Sequence, residues 1–203
     1  MQSFAKFRNI VAYEIFRVKL HKWFYPVSGG SFIMNKLVVV IDMQNDFITG
    51  PLGTPEAQAV LKKVKARISQ AVKNGDTVAF TRDTHTTNYM NTQEGKNLPV
   101  EHCIRHTDGW EIEKSLQVPN ANIFNKDTFG SLDLAHHLLV TPYDEVELVG
   151  VCTDICVISN ALLIKAYLPE LKITVNSACC AGTTPENHEN ALKAMKQCQI
   201  EII

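Results

Sequence analysis

The chain has 203 residues, of which 45% are hydrophobic and 20% charged, with a formal net charge of −1. Those values suit one globular domain. They give no basic excess for nucleic acid and no acidic solvating tail, and no apolar run approaches the roughly 20 residues of a membrane span.

The six cysteines are Cys103, Cys152, Cys156, Cys179, Cys180 and Cys198. The chain is long enough to build a core without disulfides, and it carries no secretory signal. The thiols therefore read as reduced and the compartment as cytoplasmic.

Residues 1–33 differ from the rest. They are basic and aromatic, with Arg8, Arg17, Lys19, His21, Lys22, Trp23, Phe24 and Tyr25. A surface extension and an interfacial amphipathic helix are two readings. We favour a third, a translated leader ahead of Met34, because Ser28-Gly29-Gly30-Ser31 is compatible with a purine-rich ribosome-binding stretch. No function is assigned to this extension, and residues 34–203 are taken as the domain.

From Met34 onward strands alternate with helices. Leu37–Ile41 is a short β-branched run of the kind buried in parallel sheets. Pro55–Asn74 has helical spacing, with Val60, Leu61, Val64, Ile68 and Val72 on one side, Pro55 in its first turn and Gly75 as its cap. Thr77–Thr81 is the second strand. A polar stretch from Arg82 to Pro119 follows, long enough to suggest function. Then come a strand at Asn122–Phe124, a helix at Leu132–Val140, a strand at Glu145–Val151, an apolar helix at Thr153–Tyr167, a strand at Lys172–Val175, a helix at Pro185–Cys198 and a sixth strand at Ile200–Ile203. This order predicts an α/β fold, a doubly wound, mostly parallel six-stranded sheet with helices on both faces. Ligands of such sheets bind beyond the carboxyl ends of the strands.

Polar residues cluster at those ends. The first strand ends in Asp42-Met43-Gln44-Asn45-Asp46-Phe47, where Asp42 suits either a turn or catalysis. The third ends in Asn125-Lys126-Asp127; alone, Lys126 would read as a solvated side chain. The fourth ends in Gly150-Val151-Cys152-Thr153-Asp154-Ile155-Cys156. Thr153 or Asp154 can cap the next helix, which places Cys156 in its first turn. The helix dipole there favours a thiolate, and free backbone N–H groups can hold an oxyanion. A buried structural cysteine is the plainer alternative.

Together DMQNDF, the lysine after the third strand and GVCTDICV resemble the signatures of isochorismatase-like cysteine hydrolases, over essentially Met34 to Ile203. The resemblance implies Asp42 as general base, Lys126 as charge partner and Cys156 as nucleophile. It also implies a cis peptide between Val151 and Cys152, with the Cys152 and Cys156 N–H groups forming the oxyanion hole.

The second strand leads into Asp83-Thr84-His85, and His102 precedes Cys103. Carboxylate with imidazole suits zinc, iron or manganese. This set resembles the metal site of the nicotinamidase branch. The resemblance implies one divalent metal, zinc first, on Asp83, His85 and His102, with Glu94 as a weaker fourth ligand. Phe47 matches an aromatic pocket position, whereas Leu98 stands roughly where many nicotinamidases carry a tryptophan. His188 reads as a packing or capping residue in the last helix's first turn.

The expected reaction is hydrolysis of a small amide, nicotinamide to nicotinate and ammonia, through a thioester on Cys156. The alternative is a related hydrolase of another amide, carbamoyl or ureido compound working without metal. A nucleotide-binding module lacks its glycine-rich loop. Similar proteins often form homo-oligomers, but no interface signal stands out in the sequence.

Overall fold

A computed structural model describes residues 34–203. The extension 1–33, and with it the translated-leader reading, lies outside the described residues.

The elements in chain order are β1 (Lys36–Ile41), α1 (Asn45–Ile48), α2 (Pro55–Asn74), β2 (Thr77–Asp83), α3 (Gln93–Asn97), β3 (Asn122–Lys126), α4 (Leu132–Val140), β4 (Glu145–Val151), α5 (Ile158–Tyr167), β5 (Lys172–Ala181), α6 (Pro185–Gln197) and β6 (Glu201–Ile202). The six strands form one sheet in the order β3-β2-β1-β4-β5-β6, and every pairing is parallel. The chain starts in the centre and winds outward in both directions. The order therefore reverses between β1 and β4, where such sheets open a crevice.

Period-two alternation in β1 builds both cores. Leu37, Val39 and Ile41 face one way and pack with Leu134, Leu138, Val157, Ala161, Ile164 and Met195. Val38 and Val40 face the other way, against Ala57, Val60, Val64, Ile68 and Ala71 of α2. With both faces covered, the strand reads as a continuous apolar run. Helix α2 has Pro55 in its first turn and Gly75 left-handed at φ 79° at its end, as its sequence predicts, and Thr54 Oγ1 also accepts from the Ala57 N–H. Val72 is a correction. It is 54% exposed, and Ala71 takes the buried place. Each step of four residues drifts from the 3.6-residue period, so the row Val64–Ile68–Val72 rotates off the core.

The long polar stretch is structured. It holds α3 and two single 3₁₀ turns, Tyr89–Asn91 and Lys114–Leu116. Strand β5 runs past Val175 to Ala181, with its pairing to β4 jumping from Leu148–Val175 to Gly150–Cys180. The expected helix from Thr153 is two pieces. Residues Thr153–Val157 form a wide turn in which the Val157 N–H reaches back five residues to the Cys152 carbonyl (3.0 Å), and α5 follows. Neither Thr153 nor Asp154 caps it; Asp154 instead accepts from the Thr183 N–H and hydroxyl.

At the crevice, Gly150 has φ 121°, and a Cβ there would lie 2.1 Å from the Ile41 carbonyl oxygen. Only glycine lets β4 approach β1 this closely just before the Cys152–Cys156 turn.

Candidate active site and metal centre

Strand ends bring Asp42, Lys126 and Cys156 together from 84 and 30 residues apart in sequence, counting from Asp42 to Lys126 and from Lys126 to Cys156. Lys126 Nζ is 2.7 Å from Asp42 Oδ2, 3.1 Å from Asp83 Oδ1 and 3.5 Å from Cys156 Sγ. All four residues are buried. Pairing of β2 with β3 sets Asp83 directly opposite Lys126, so the ammonium sits where the three strand ends meet.

Buried charges must be paired to persist, and the shifts follow. Burial opposes the Lys126 charge, but the charges of Asp42, Cys156 and Asp83 outweigh it, so its pKa is raised well above the ordinary value. Burial pushes the Asp42 carboxyl up, and Asp83 adds to this against the pull of Lys126; the net direction is up. The Cys156 thiol is driven well above its ordinary value by burial, with the Asp42 charge adding and Lys126 opposing. Burial thus opposes the thiolate that a helix-end dipole favours. The Val151–Cys152 peptide is cis, as expected.

Next to this group, Asp83, His85, Glu94 and His102 each direct a donor atom to one point, all within 4.8 Å of one another. His85 Nε2 is 3.0 Å from Asp83 Oδ2 and 3.7 Å from Glu94 Oε1. His102 Nε2 is 3.6 Å from Asp83 Oδ2 and 3.8 Å from Glu94 Oε1. A tetrahedral zinc with bonds of about 2.1 Å has ligand–ligand edges of about 3.4 Å, which these spacings bracket. His102 Nδ1 is 2.8 Å from the Val100 carbonyl, so its proton belongs there. Nε2 is then the ring nitrogen turned to the Asp83 and Glu94 carboxylates, placed to give its lone pair to a cation bound there. Glu94 joins this set as its one partly exposed member.

Of the two residues expected in the substrate pocket, Phe47 packs its ring 5.5 Å from that of His102. Leu98 is 38% exposed, and its carbonyl accepts from the Tyr89 hydroxyl. The Tyr89 ring is wedged 4.6 Å from His85 and 4.9 Å from His102. His188 lies in the first turn of α6, where its Nδ1 is 2.8 Å from Thr153 Oγ1.

Several supporting residues escaped the sequence reading. Gln44, fully buried, donates to the carbonyls of Asp83 and Trp110 (2.9 Å each) and accepts from the Asp83 N–H (2.7 Å). Asp46 Oδ2 accepts from the Cys103 N–H at 2.7 Å. A single motif therefore reaches both metal-ligand segments, through Gln44 to Asp83 and through Asp46 and Phe47 to His102-Cys103. Asn160 donates to the carbonyls of Cys156 (2.8 Å) and Phe129 (3.2 Å) and accepts from the Ser131 N–H, tying the cysteine turn to the loop after Lys126. The DxQxD spacing in Asp42, Gln44 and Asp46 was the available signal, since alternate residues leaving a strand end address one neighbourhood.

Comparison with known proteins agrees with this geometry. The Isochorismatase domain matches residues 36–203. The isochorismatase family protein PncA of Bacillus subtilis is 29% identical over 173 residues, covering 78% of this chain and 93% of that protein. A crystal structure of pyrazinamidase of Pyrococcus horikoshii in complex with zinc superposes with a TM-score of 0.75 at 28% identity, covering 83% of this chain and 98% of that one. One of nicotinamidase/pyrazinamidase PncA from Bacillus subtilis gives 0.72 at 27%, covering 83% and 99%. The chain belongs to the isochorismatase family, and nicotinamidases and pyrazinamidases are among the proteins it resembles.

Proposed function

We propose that this protein is a metal-assisted cysteine amidohydrolase that converts nicotinamide to nicotinate and ammonia. The observation that carries the reading is Lys126, whose ammonium touches Asp42, Cys156 and Asp83 at once and so makes the nucleophile group and the metal-ligand group one site. The amide class is supported by the pyrazinamidase and nicotinamidase relatives.

Asp42 accepts the Cys156 proton while Lys126 balances the charges on both. The S–H electron pair stays on sulfur and forms a bond to the amide carbon. Backbone N–H groups of Cys152 and Cys156 face the resulting oxyanion, each such donor being worth about 3–4 kcal/mol. Asp42 returns the proton to the amide nitrogen, the C–N bond breaks and ammonia leaves. A thioester remains on Cys156. Water then gives a proton to Asp42 and its oxygen to the acyl carbon, and the released thiolate takes the proton back. A divalent metal, zinc first with iron or manganese as alternatives, would be held by Asp83, His85, His102 and Glu94 and would supply a Lewis-acid anchor for the substrate. Phe47 and Leu98 border the ring-binding side, and the product acid would feed NAD salvage in the cytoplasm.

Cys156→Ala is expected to abolish ammonia release while circular dichroism stays that of the parent. In the parent, rapid quenching and mass spectrometry should find the acyl group on Cys156. Turnover by the alanine variant would overturn the assignment.

A further inference from the structure

Asp42 holds a left-handed backbone at φ 47°, which a non-glycine residue keeps only when its surroundings fix it. Thr81, on the neighbouring strand β2 and fully buried, does much of that fixing. The Asp42 N–H donates to Thr81 Oγ1 (3.3 Å), and Thr81 Oγ1 donates back to Asp42 Oδ1 (2.6 Å). A hydroxyl has one proton. With its lone pair turned to the Asp42 N–H, that proton is committed to Oδ1.

The two carboxylate oxygens are therefore unequal. Oδ1 is filled. Oδ2 is buried and accepts no directed hydrogen bond. Lys126 Nζ lies 2.7 Å away as its ion-pair partner, and a carboxylate oxygen has two lone pairs, so room for a proton remains. Protonation at Oδ1 would weaken the bond from Thr81, whereas protonation at Oδ2 leaves that bond in place; the Lys126 ion pair is given up in either case.

We propose that Thr81 is the positioning residue of the general base: its hydroxyl locks the Asp42 carboxylate and makes Oδ2 the atom that takes the Cys156 proton. This rests on Asp42 acting as the base in the reading above. The S–H bond breaks, its electron pair stays on sulfur, and the new O–H forms at Oδ2.

The test compares Thr81→Val, which keeps the shape and loses the hydroxyl, with Thr81→Ser, which keeps the hydroxyl. Three quantities are read on metal-loaded protein at one pH: kcat and KM for nicotinamide, the iodoacetamide alkylation rate of Cys156 by peptide mass spectrometry, and bound metal. A well-placed general base is worth about 10²–10⁴-fold. Thr81→Val should lose about 10- to 100-fold of that in kcat and slow Cys156 alkylation in parallel, with KM and bound metal within about twofold of the parent. Thr81→Ser should restore both rates. Thr81→Ala should behave as Thr81→Val and replaces it if the valine variant does not fold. Unchanged rates in Thr81→Val, a serine variant as slow as the valine one, or metal lost together with kcat would each overturn the proposal. If the parent itself ignores nicotinamide, the substrate reading fails, and the alkylation arm still decides the role of Thr81.

Discussion

Replacing Lys126 by methionine keeps the length of the side chain and removes the charge on which the site turns. The ammonium is 2.7 Å from Asp42 and 3.1 Å from Asp83, inside a buried cluster. Removing one partner of a buried ion pair costs about 3–5 kcal/mol because the other charge is left uncompensated. Asp42 can relieve part of that by binding a proton, since burial and Asp83 already push its pKa up. The loss of stability should therefore fall at the lower end, about 3 kcal/mol. The same relief removes the base, because a protonated Asp42 cannot accept from Cys156. The rate should drop about 10²–10⁴-fold. Urea unfolding of parent and variant at equal metal occupancy reads the first number, and ammonia release from nicotinamide reads the second. A Lys126→Met protein within about 1 kcal/mol of the parent and within tenfold in kcat/KM would refute the central place given to this ammonium.

Gln44→Ala removes three buried hydrogen bonds to the Asp83 and Trp110 backbone. At about 1 kcal/mol each the cost is about 3 kcal/mol, and metal affinity measured by competition with a chelator should fall, since Asp83 loses its support. Glu147, 1% exposed, gives a pH-dependent stability. Burial opposes its charge, but Arg67, Lys36 and Asn176 hold the pKa down to about 2. Its folded pKa is below the unfolded value of about 4.3. The stabilisation is therefore complete above about pH 4.3 and is lost as pH falls toward 2, amounting to about 3 kcal/mol. Urea unfolding from pH 6 to pH 2.5 should show the loss, and Glu147→Gln should flatten it.

Much of this site is legible in the sequence because strand periodicity and chain order suffice to locate strand ends. Asp42, Lys126 and Cys156 follow short apolar runs, and Asp83 and His85 follow another. What escapes is what depends on contact across strands. Thr81 reads as one more β-branched strand residue until its hydroxyl is seen bridging to Asp42. Gln44 reads as part of a turn, yet it is wholly buried and bonded to Asp83. Asn160 sits within an apolar helical run, and only its bonds to Cys156, Phe129 and Ser131 show what it does. At Cys156 a helix-end dipole is a local quantity that chain order reveals, whereas the opposing effect of burial depends on everything packed around the sulfur. Strand β5 was cut short at Val175 because Asn176 and Ser177 interrupt its apolar pattern, and a register shift absorbs them.

The most direct test of the account is ammonia release from nicotinamide by purified protein, measured as isolated, after chelation, and after zinc, iron or manganese is restored. The account predicts turnover that vanishes with the metal and returns with it, and that is lost at every metal concentration in His102→Ala. Turnover that survives complete removal of the metal would contradict it and direct attention to a metal-free hydrolase of another carbamoyl or ureido compound.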